Sequence, residues 1–341
     1  MSIDKFLNRG TPKEQLLDFT LVSIVAQLIG VVAKLGIADL LKHKPMSAEE
    51  LAVSIDAHGP FLFRVMRTLV AFDVFRQGLD GKFELSPMSE LLQSDNKNGL
   101  HHIAILNASY LGWKPQGALF DAIKTGETPF ETIFESNLYD FLDNHIEDAQ
   151  LFGAAMTNLT NVDLTGIIEH LDCSGIETIV DIGAGEGELL SELLIKYPEL
   201  KGIVADKENT VMIAQKKLKY KELGARCEFI PIDFFESVPR GDAYIMRKVI
   251  HNWNDEKASV ILKNCRAKMT PQSKLFIVEA VLANDNSGAR AKIRDIEMMI
   301  YLSANQRTKK EFQTLLESSG FTLARVIETN APSSIIVATP A

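Results

Sequence analysis

The sequence predicts an α/β domain built on a mostly parallel sheet, preceded by a mainly helical domain of winged-helix pattern. Three observations carry this. From Glu177 onward, short β-rich runs alternate with helical stretches. The first hundred residues read instead as helices followed by one hairpin. Between the two regimes, the first β-rich run ends in a glycine loop, VDIGAGEG, at Val180–Gly187.

The chain has 341 residues, of which 46% are hydrophobic and 24% charged, an ordinary globular composition with room for two domains. A net charge of −9 gives no general attraction to nucleic acid or to anionic lipid, so neither is expected as a partner. Cys173, Cys227 and Cys265 are far apart and form no CxxC pair, which favours a reducing, cytoplasmic setting. Asp4, Lys5 and Arg9 precede any apolar run, unlike the layout of a secretion signal. The uncharged run Phe19–Ala33 is about 15 residues, short of the ~20 needed to cross a bilayer, and reads as a buried helix. Being apolar nearly all round, it must be covered on every side, and a second subunit is a candidate cover.

In the expected N-terminal domain, residues 1–105, Ser47 and Glu50 form a capping box that opens a short helix through Ser54. Pro60 opens the next helix, with Phe61, Phe63, Val65, Met66, Leu69 and Val70 at roughly helical spacing. VFRQGLDGKFELSP then alternates about Asp80-Gly81, a hairpin turn. A DNA-reading winged helix would need a basic face, yet the second helix offers only Arg64 and Arg67 among bulky apolar residues. Packing or dimerisation is the expected role. Residues 106–170 read as a helical linker rich in aromatics, some of which are expected to wall a ligand pocket.

Residues 171–341 form the expected catalytic domain. ETIVDIG, GIVAD, CEFIPID, DAYIMRK and KLFIVEAVL are strand-like, with GELLSELLIKY, NTVMIAQKKLKYKEL and EKASVILKNCRAKM as intervening helices. A last helix, KKEFQTLLESSG, stops at Gly320, and FTLARVIE and SIIVAT follow as an antiparallel hairpin.

Features at five successive strand ends carry chemistry. Glycines Gly183, Gly185 and Gly187 let the backbone turn and approach a ligand, and Asp181 and Glu186 add acids where a pyrophosphate would be repelled. A cationic sulfonium with an amino-acid tail would tolerate them. Asp206 ends the second strand, where a carboxylate accepts hydrogen bonds from ribose hydroxyls. Asp233-Phe234 ends the third, where an acid and an aromatic can hold an adenine. His251 follows the fourth in RKVIHNWN, placed to take a proton from a hydroxyl, and Glu279 closes the fifth, placed to orient the imidazole.

VDIGAGEG, DFFESVPRGDAYIMRKVIHNWNDEKASVILKNC, KLFIVEAVL and QRTKKEFQTLLESSGF together resemble the small-molecule O-methyltransferases of the caffeic acid, hydroxyneurosporene and bacterial polyketide-tailoring type. GIADLL, SAEELA, RVMRTLVAFDVF and FELSP resemble that family's dimerisation domain. The resemblance implies a Rossmann-like class I methyltransferase domain with a seven-stranded sheet and a homodimer formed through the N-terminal domain. It also implies S-adenosylmethionine as cofactor, S-adenosylhomocysteine as product and no metal. By the same resemblance His251 is the general base, with Glu279 beside it. Asp181, Gly183, Gly185, Asp206, Asp233, Phe234 and Arg247 are the cofactor contacts. The acceptor, a small aromatic or polyketide-like hydroxyl compound, is expected to meet Trp113, Met156, Thr157-Asn158, Trp253, Met298 and Met299. One departure falls at the site itself: Gln306 stands before Arg307-Thr308 where the family often has a second acid. Another is Asp206-Lys207-Glu208 in place of Asp-Leu-Pro, which keeps the carboxylate. Rival readings are a non-methylating relative (hydroxylase, decarboxylase or pericyclase), an N-methyltransferase of the same fold, a ligand-sensing regulator and a nicotinamide dehydrogenase.

Overall fold

The computed structural model describes residues 10–220 and 222–341; Asp4, Lys5 and Arg9 lie outside these. The chain divides into two units. One comprises the residues up to Leu119 together with Tyr139–Val162, and the other Phe120–Leu138 with Asp163–Ala341. The helical stretch 106–170 is therefore shared between the units instead of forming a linker of its own. Phe120–Leu138 joins the second unit because its Pro129–Phe134 helix packs on the Ala289–Tyr301 helix, with Phe130 fully buried and Thr128 hydrogen-bonded to Ser303.

In the first unit, Thr11 and Glu14 form a capping box and Pro12 takes the first turn of the long Pro12–Lys34 helix. This helix is not a buried core element of its own chain. Val25, Gly30, Val32 and Ala33 are buried, while Leu16, Leu17, Phe19 and Ile24 are more than half exposed. At 23 residues it is also longer than its uncharged run, and by length and composition it passes as a membrane span. Its buried residues pack against the His101–Ala108 helix, as in a folded domain. The winged-helix pattern is present: Ser47 caps Ala48–Ser54 with Glu50, Gly59–Ala71 follows, and β1 (Phe75–Gln77) pairs antiparallel with β2 (Phe83–Leu85). The core-facing stripe of Gly59–Ala71 is Leu62, Met66 and Leu69. Phe61 and Phe63 point outward, because apolar residues occupy both sides of this helix and spacing alone does not choose between them.

The second unit holds a seven-stranded sheet in the order β10-β11-β7-β6-β3-β4-β5. Its strands are β3 (Thr178–Ile182), β4 (Lys201–Asp206), β5 (Cys227–Pro231), β6 (Ala243–Arg247), β7 (Lys274–Glu279), β10 (Phe321–Ile327) and β11 (Ser334–Pro340). The first five run parallel, and β11 and β10 close the edge as an antiparallel hairpin. A separate parallel pair joins β8 (Val281–Leu282) to β9 (Arg307–Thr308). Both sheet faces are covered, so the parallel strands read as near-continuous apolar runs. Val180, Ile182, Tyr244 and Met246 pack on the helices Asp255–Arg266 and Lys309–Ser318. Ile179, Val204 and Ile245 face Glu188–Lys196, Glu208–Tyr220 and Ile167.

Strand alternation puts residues two apart on one face. Asp181, two beyond Ile179, Asp206, two beyond Val204, and Arg247, two beyond Ile245, therefore share the second face at the carboxyl edge of the sheet. The first strand of this sheet in sequence, β3, lies between β4 and β6, so the chain reverses its direction of winding beside it. A ligand cleft opens at such a point in doubly wound sheets.

Gly30 lets the Pro12–Lys34 helix approach the His101–Ala108 helix closely. A Cβ there would lie 2.7 Å from the Ala104 carbonyl oxygen and would overlap the Ala108 Cβ. Gly30→Ala is expected to lower stability by about 1–3 kcal/mol through overpacking. Gly117→Ala, where nothing lies within 4 Å, should be neutral or stabilising. Paired chemical denaturation curves check this, and equal midpoints for the two variants would contradict the packing described.

Candidate active site

The glycine loop leaves β3 with Gly183 at φ +69° and Gly185 at φ +59°, conformations an L side chain adopts with strain. At Gly183 a Cβ would also press on Val249. At Gly185 it would point into open space, so the loop leaves room there for a ligand. Asp206 holds the loop: its Oδ2 accepts the Gly185 N–H at 2.9 Å and its Oδ1 the Lys207 N–H at 2.7 Å. Burial pushes the Asp206 carboxyl up.

Asp181 is fully buried, and its Oδ2 accepts no hydrogen bond. Burial, with the Asp206 charge adding to it, pushes this carboxyl up to about 7 against the pull of Arg247. A buried carboxylate oxygen without a donor, beside a glycine loop with space above it, fits a ligand that brings a positive charge. Glu186 pairs with Lys217, which also meets Glu188 at 2.9 Å, so one cation is shared by two carboxylates. Asp233 is exposed and accepts the Phe235 N–H at 2.8 Å. Phe234 stands edge-on to Phe235 and Trp253, with ring centroids 4.9 and 6.1 Å apart.

Arg247 reaches Asp163, a residue the sequence reading passed over. Asp163, 1% exposed, takes the Arg247 guanidinium at 2.7 Å, Lys248 Nζ at 3.2 Å and the Ser333 hydroxyl at 2.6 Å. Nothing in the spacing of TNVDLTG marks this aspartate, and only the helix's packing on the sheet reveals it.

After β6 the chain turns through Lys248, a non-glycine at φ +55°, into a 3-10 turn, Ile250–Asn252. This delivers His251 next to the end of β7. His251 Nδ1 lies 3.1 Å from Glu279 Oε2 and 2.8 Å from the Gln306 side-chain amide, and Glu279 Oε1 accepts the His251 backbone N–H at 3.2 Å. The structure thus brings Gln306 together with the two residues expected to handle a proton. Burial, and next the Lys248 ammonium, push the imidazole down to about 3. Burial raises the Glu279 carboxyl to about 7 against the hydrogen bond from the His251 backbone. At neutral pH the imidazole is therefore uncharged and has a lone pair to offer.

Gln306 arrives by the pairing of β9 with β8, and its backbone N–H donates to Asp295 at 2.8 Å. Asp295 lies on the Ala289–Tyr301 helix, which also carries the half-buried Met298 and Met299. Trp253 packs edge-on to Phe235 with centroids 4.8 Å apart. Trp113, Met156, Thr157 and Asn158 belong to the first unit. There the Asn158 side-chain oxygen caps the His101–Ala108 helix, accepting the His102 N–H at 2.9 Å, and the Thr157 hydroxyl donates to the Gly153 carbonyl.

This fold and this edge define a class I methyltransferase, and comparison with known proteins specifies it. Residues 117–322 match the O-methyltransferase domain family and residues 17–95 the O-methyltransferase dimerisation domain. The chain belongs to the S-adenosylmethionine-dependent O-methyltransferase family. It is 37% identical over 319 residues to the phenazine O-methyltransferase PhzM of Lysobacter antibioticus, covering 93% of each chain. The solved structure of LaPhzM matches with a TM-score of 0.93 at 36% identity, over 97% of this chain and 100% of that one. CalO1, a methyltransferase of calicheamicin biosynthesis in its S-adenosylhomocysteine-bound form, matches with a TM-score of 0.87 at 26% identity, over 98% and 100%. The chain is thus an enzyme that uses S-adenosylmethionine, and the non-methylating, regulatory and nicotinamide readings are not favoured.

Because Asp206 ties down Gly185 at the carboxyl edge of the sheet, Asp206→Ala is expected to weaken S-adenosylhomocysteine binding at least tenfold. A hydrogen bond to a charged group contributes about 1.5–3 kcal/mol. Calorimetric titration checks this, and an unchanged affinity would remove Asp206 from the candidate cofactor contacts.

Proposed function

We propose that this enzyme methylates a hydroxyl on a small aromatic metabolite, with His251 as the general base and Glu279 as its orienting partner. The observation that carries the proposal is the buried cluster of His251, Glu279 and Gln306 at the carboxyl edge of the sheet. The phenazine acceptor named for the Lysobacter relative supports a fused aromatic hydroxyl compound as the acceptor class. Asp181, Gly183, Gly185, Asp206, Asp233, Phe234 and Arg247 would hold the cofactor, and Trp253, Met298 and Met299 would contribute to acceptor binding. When bound, S-adenosylmethionine supplies an electrophilic methyl group on a sulfonium.

His251 works only with its ring proton on Nδ1, so that Nε2 is free to take the proton from the acceptor hydroxyl as that oxygen bonds to the methyl carbon. Two acceptor oxygens, Glu279 Oε2 and Gln306 Oε1, are buried without a hydrogen-bond partner when the Gln306 nitrogen faces the ring. The two ends of an amide are interchangeable in assignment. Turning Gln306 so that Oε1 faces Nδ1 lets both oxygens share the Nδ1–H, which is the tautomer a base at Nε2 requires. Glu279, once ionised, then stabilises the imidazolium that forms.

With the imidazole held near 3, its own titration does not shape the rate above mild acidity. Glu279, raised to about 7, does: it is neutral below that pH and a carboxylate above it. Lys248, Arg294 and Arg307 also bear on the ring and keep it a weak base. The hydroxyl must therefore be fairly acidic, or the carboxylate must be ionised. In a series of hydroxyphenazines graded by ring substituents, His251→Ala is expected to cost about 10²–10⁴ in kcat on the least acidic member and progressively less along the series. On that least acidic member, wild-type kcat should rise through about pH 7 and Glu279→Gln should flatten the rise. A small, uniform loss across the series would exclude His251 as the base.

The exposed apolar side of Pro12–Lys34 and the dimerisation-domain match support a homodimer formed through the N-terminal residues. Light scattering at micromolar concentration should give twice the chain mass, and Leu17→Glu with Ile24→Glu should yield monomers. A compact, active wild-type monomer would refute this.

A further inference from the structure

Arg307 is among the largest fully buried side chains of the second unit, at 1% exposure, yet it carries a full charge. Its guanidinium donates from Nη1 to the Ile250 carbonyl at 3.2 Å and from Nη2 to the Trp253 carbonyl at 2.8 Å. It also meets Asp255 Oδ1 from Nε at 2.8 Å and from Nη2 at 2.7 Å. Those two carbonyls bracket His251 in sequence. Arg307 itself is anchored in β9 by pairing with Val281, two residues beyond Glu279.

The turn needs such a grip. No sheet ladder runs through Val249–Trp253, and the segment is entered through the left-handed Lys248 and left through the extended Trp253. Internally it has the Asn252-to-Val249 and Trp253-to-Ile250 backbone bonds. A planar, five-donor guanidinium can reach both ends of such a turn and fix their separation, which a lysine ammonium cannot. The partner carboxylate of Asp255 is 73% exposed, so the arrangement is not simply a salt bridge sealed in the core.

We infer that Arg307 is a positioning residue for methyl transfer: by clamping the carbonyls of Ile250 and Trp253 it fixes the turn that aims the His251 ring at the acceptor hydroxyl. This rests on His251 being the base. In Arg307→Lys the ring should lose its aim while the glycine loop, held by the Asp206 carboxylate at Gly185, keeps its shape.

The test is a double-mutant cycle between Arg307→Lys and His251→Ala, with 1-hydroxyphenazine as acceptor, joined to a measurement that needs no acceptor. A misplacement of an ångström costs up to about 10²-fold, so Arg307→Lys is expected to lower kcat roughly 10- to 100-fold. KM for S-adenosylmethionine should stay within about twofold. In the His251→Ala background the same substitution should have no further effect, because there is no base left to aim. Nitrogen-15 spectra of histidine-labelled, S-adenosylhomocysteine-bound enzyme, with His251 identified by His251→Gln, should show one fixed ring tautomer in the wild type and an averaged ring in Arg307→Lys. If the lysine variant does not fold, Asp255→Asn is read in the same way, with a smaller loss. A folded variant with an unchanged His251 spectrum, or an equal kcat loss in both backgrounds, overturns the inference. If His251→Ala costs nothing, the base reading fails, and the inference falls with it. If His251→Ala is slow and Arg307→Lys is not, only the role of Arg307 falls.

Discussion

The organising constraint of the catalytic unit is buried charge at the carboxyl edge of a sheet covered on both faces. Removing an ion from water costs several kcal/mol unless partners replace the lost hydration. Asp163, Arg247, Glu279 and Arg307 are each almost completely enclosed. Each is compensated locally: Asp163 by two cations and a hydroxyl, Arg307 by two carbonyls and a carboxylate, and Glu279 by remaining largely protonated up to about pH 7. Remove one partner and the others are left uncompensated, so the positions of the side chains at this edge are bound to the stability of the fold.

The same constraint sorts the side chains of the edge into two groups. Residues of one strand parity, Asp181, Asp206 and Arg247, gather on one face beside the glycine loop. His251 is not on a strand at all. It rides on a short turn just past β6, held against the ends of β7 and β9. A loop residue would ordinarily be the most mobile part of a site, yet here its backbone and its ring are both tied to regular structure.

Much of this can be read in the sequence, for physical reasons. Buried parallel strands must be apolar throughout, so ETIVDIG, GIVAD and DAYIMRK stand out, and the residues just past them fall at one edge. The alternation of strand and helix therefore locates Asp181, Asp206, His251 and Glu279 together. What escapes is whatever depends on the third dimension. Asp163 is one polar residue in a long helix, and its partners lie at Arg247, Lys248 and Ser333, far along the chain. Arg307 reads as a mere neighbour of Gln306 until its contacts with Ile250 and Trp253 are visible. The outward turn of Phe61 and Phe63 is hidden for a different reason. A helix with two apolar sides is ambiguous, because spacing alone does not say which side its own chain covers.

The carboxyl of Asp181 has a consequence for cofactor capture. Held near 7, it is about half protonated at neutral pH. If the ammonium of the cofactor's amino-acid tail is what meets Oδ2, it meets the ionised form, so docking must expel the proton from the fraction that carries it. Above neutrality little is released and capture is at its strongest. As acidity rises below 7, a growing share of each docking event is spent on deprotonation. The hydrogen ion then acts as a rival occupant of the cleft, competing for the same oxygen.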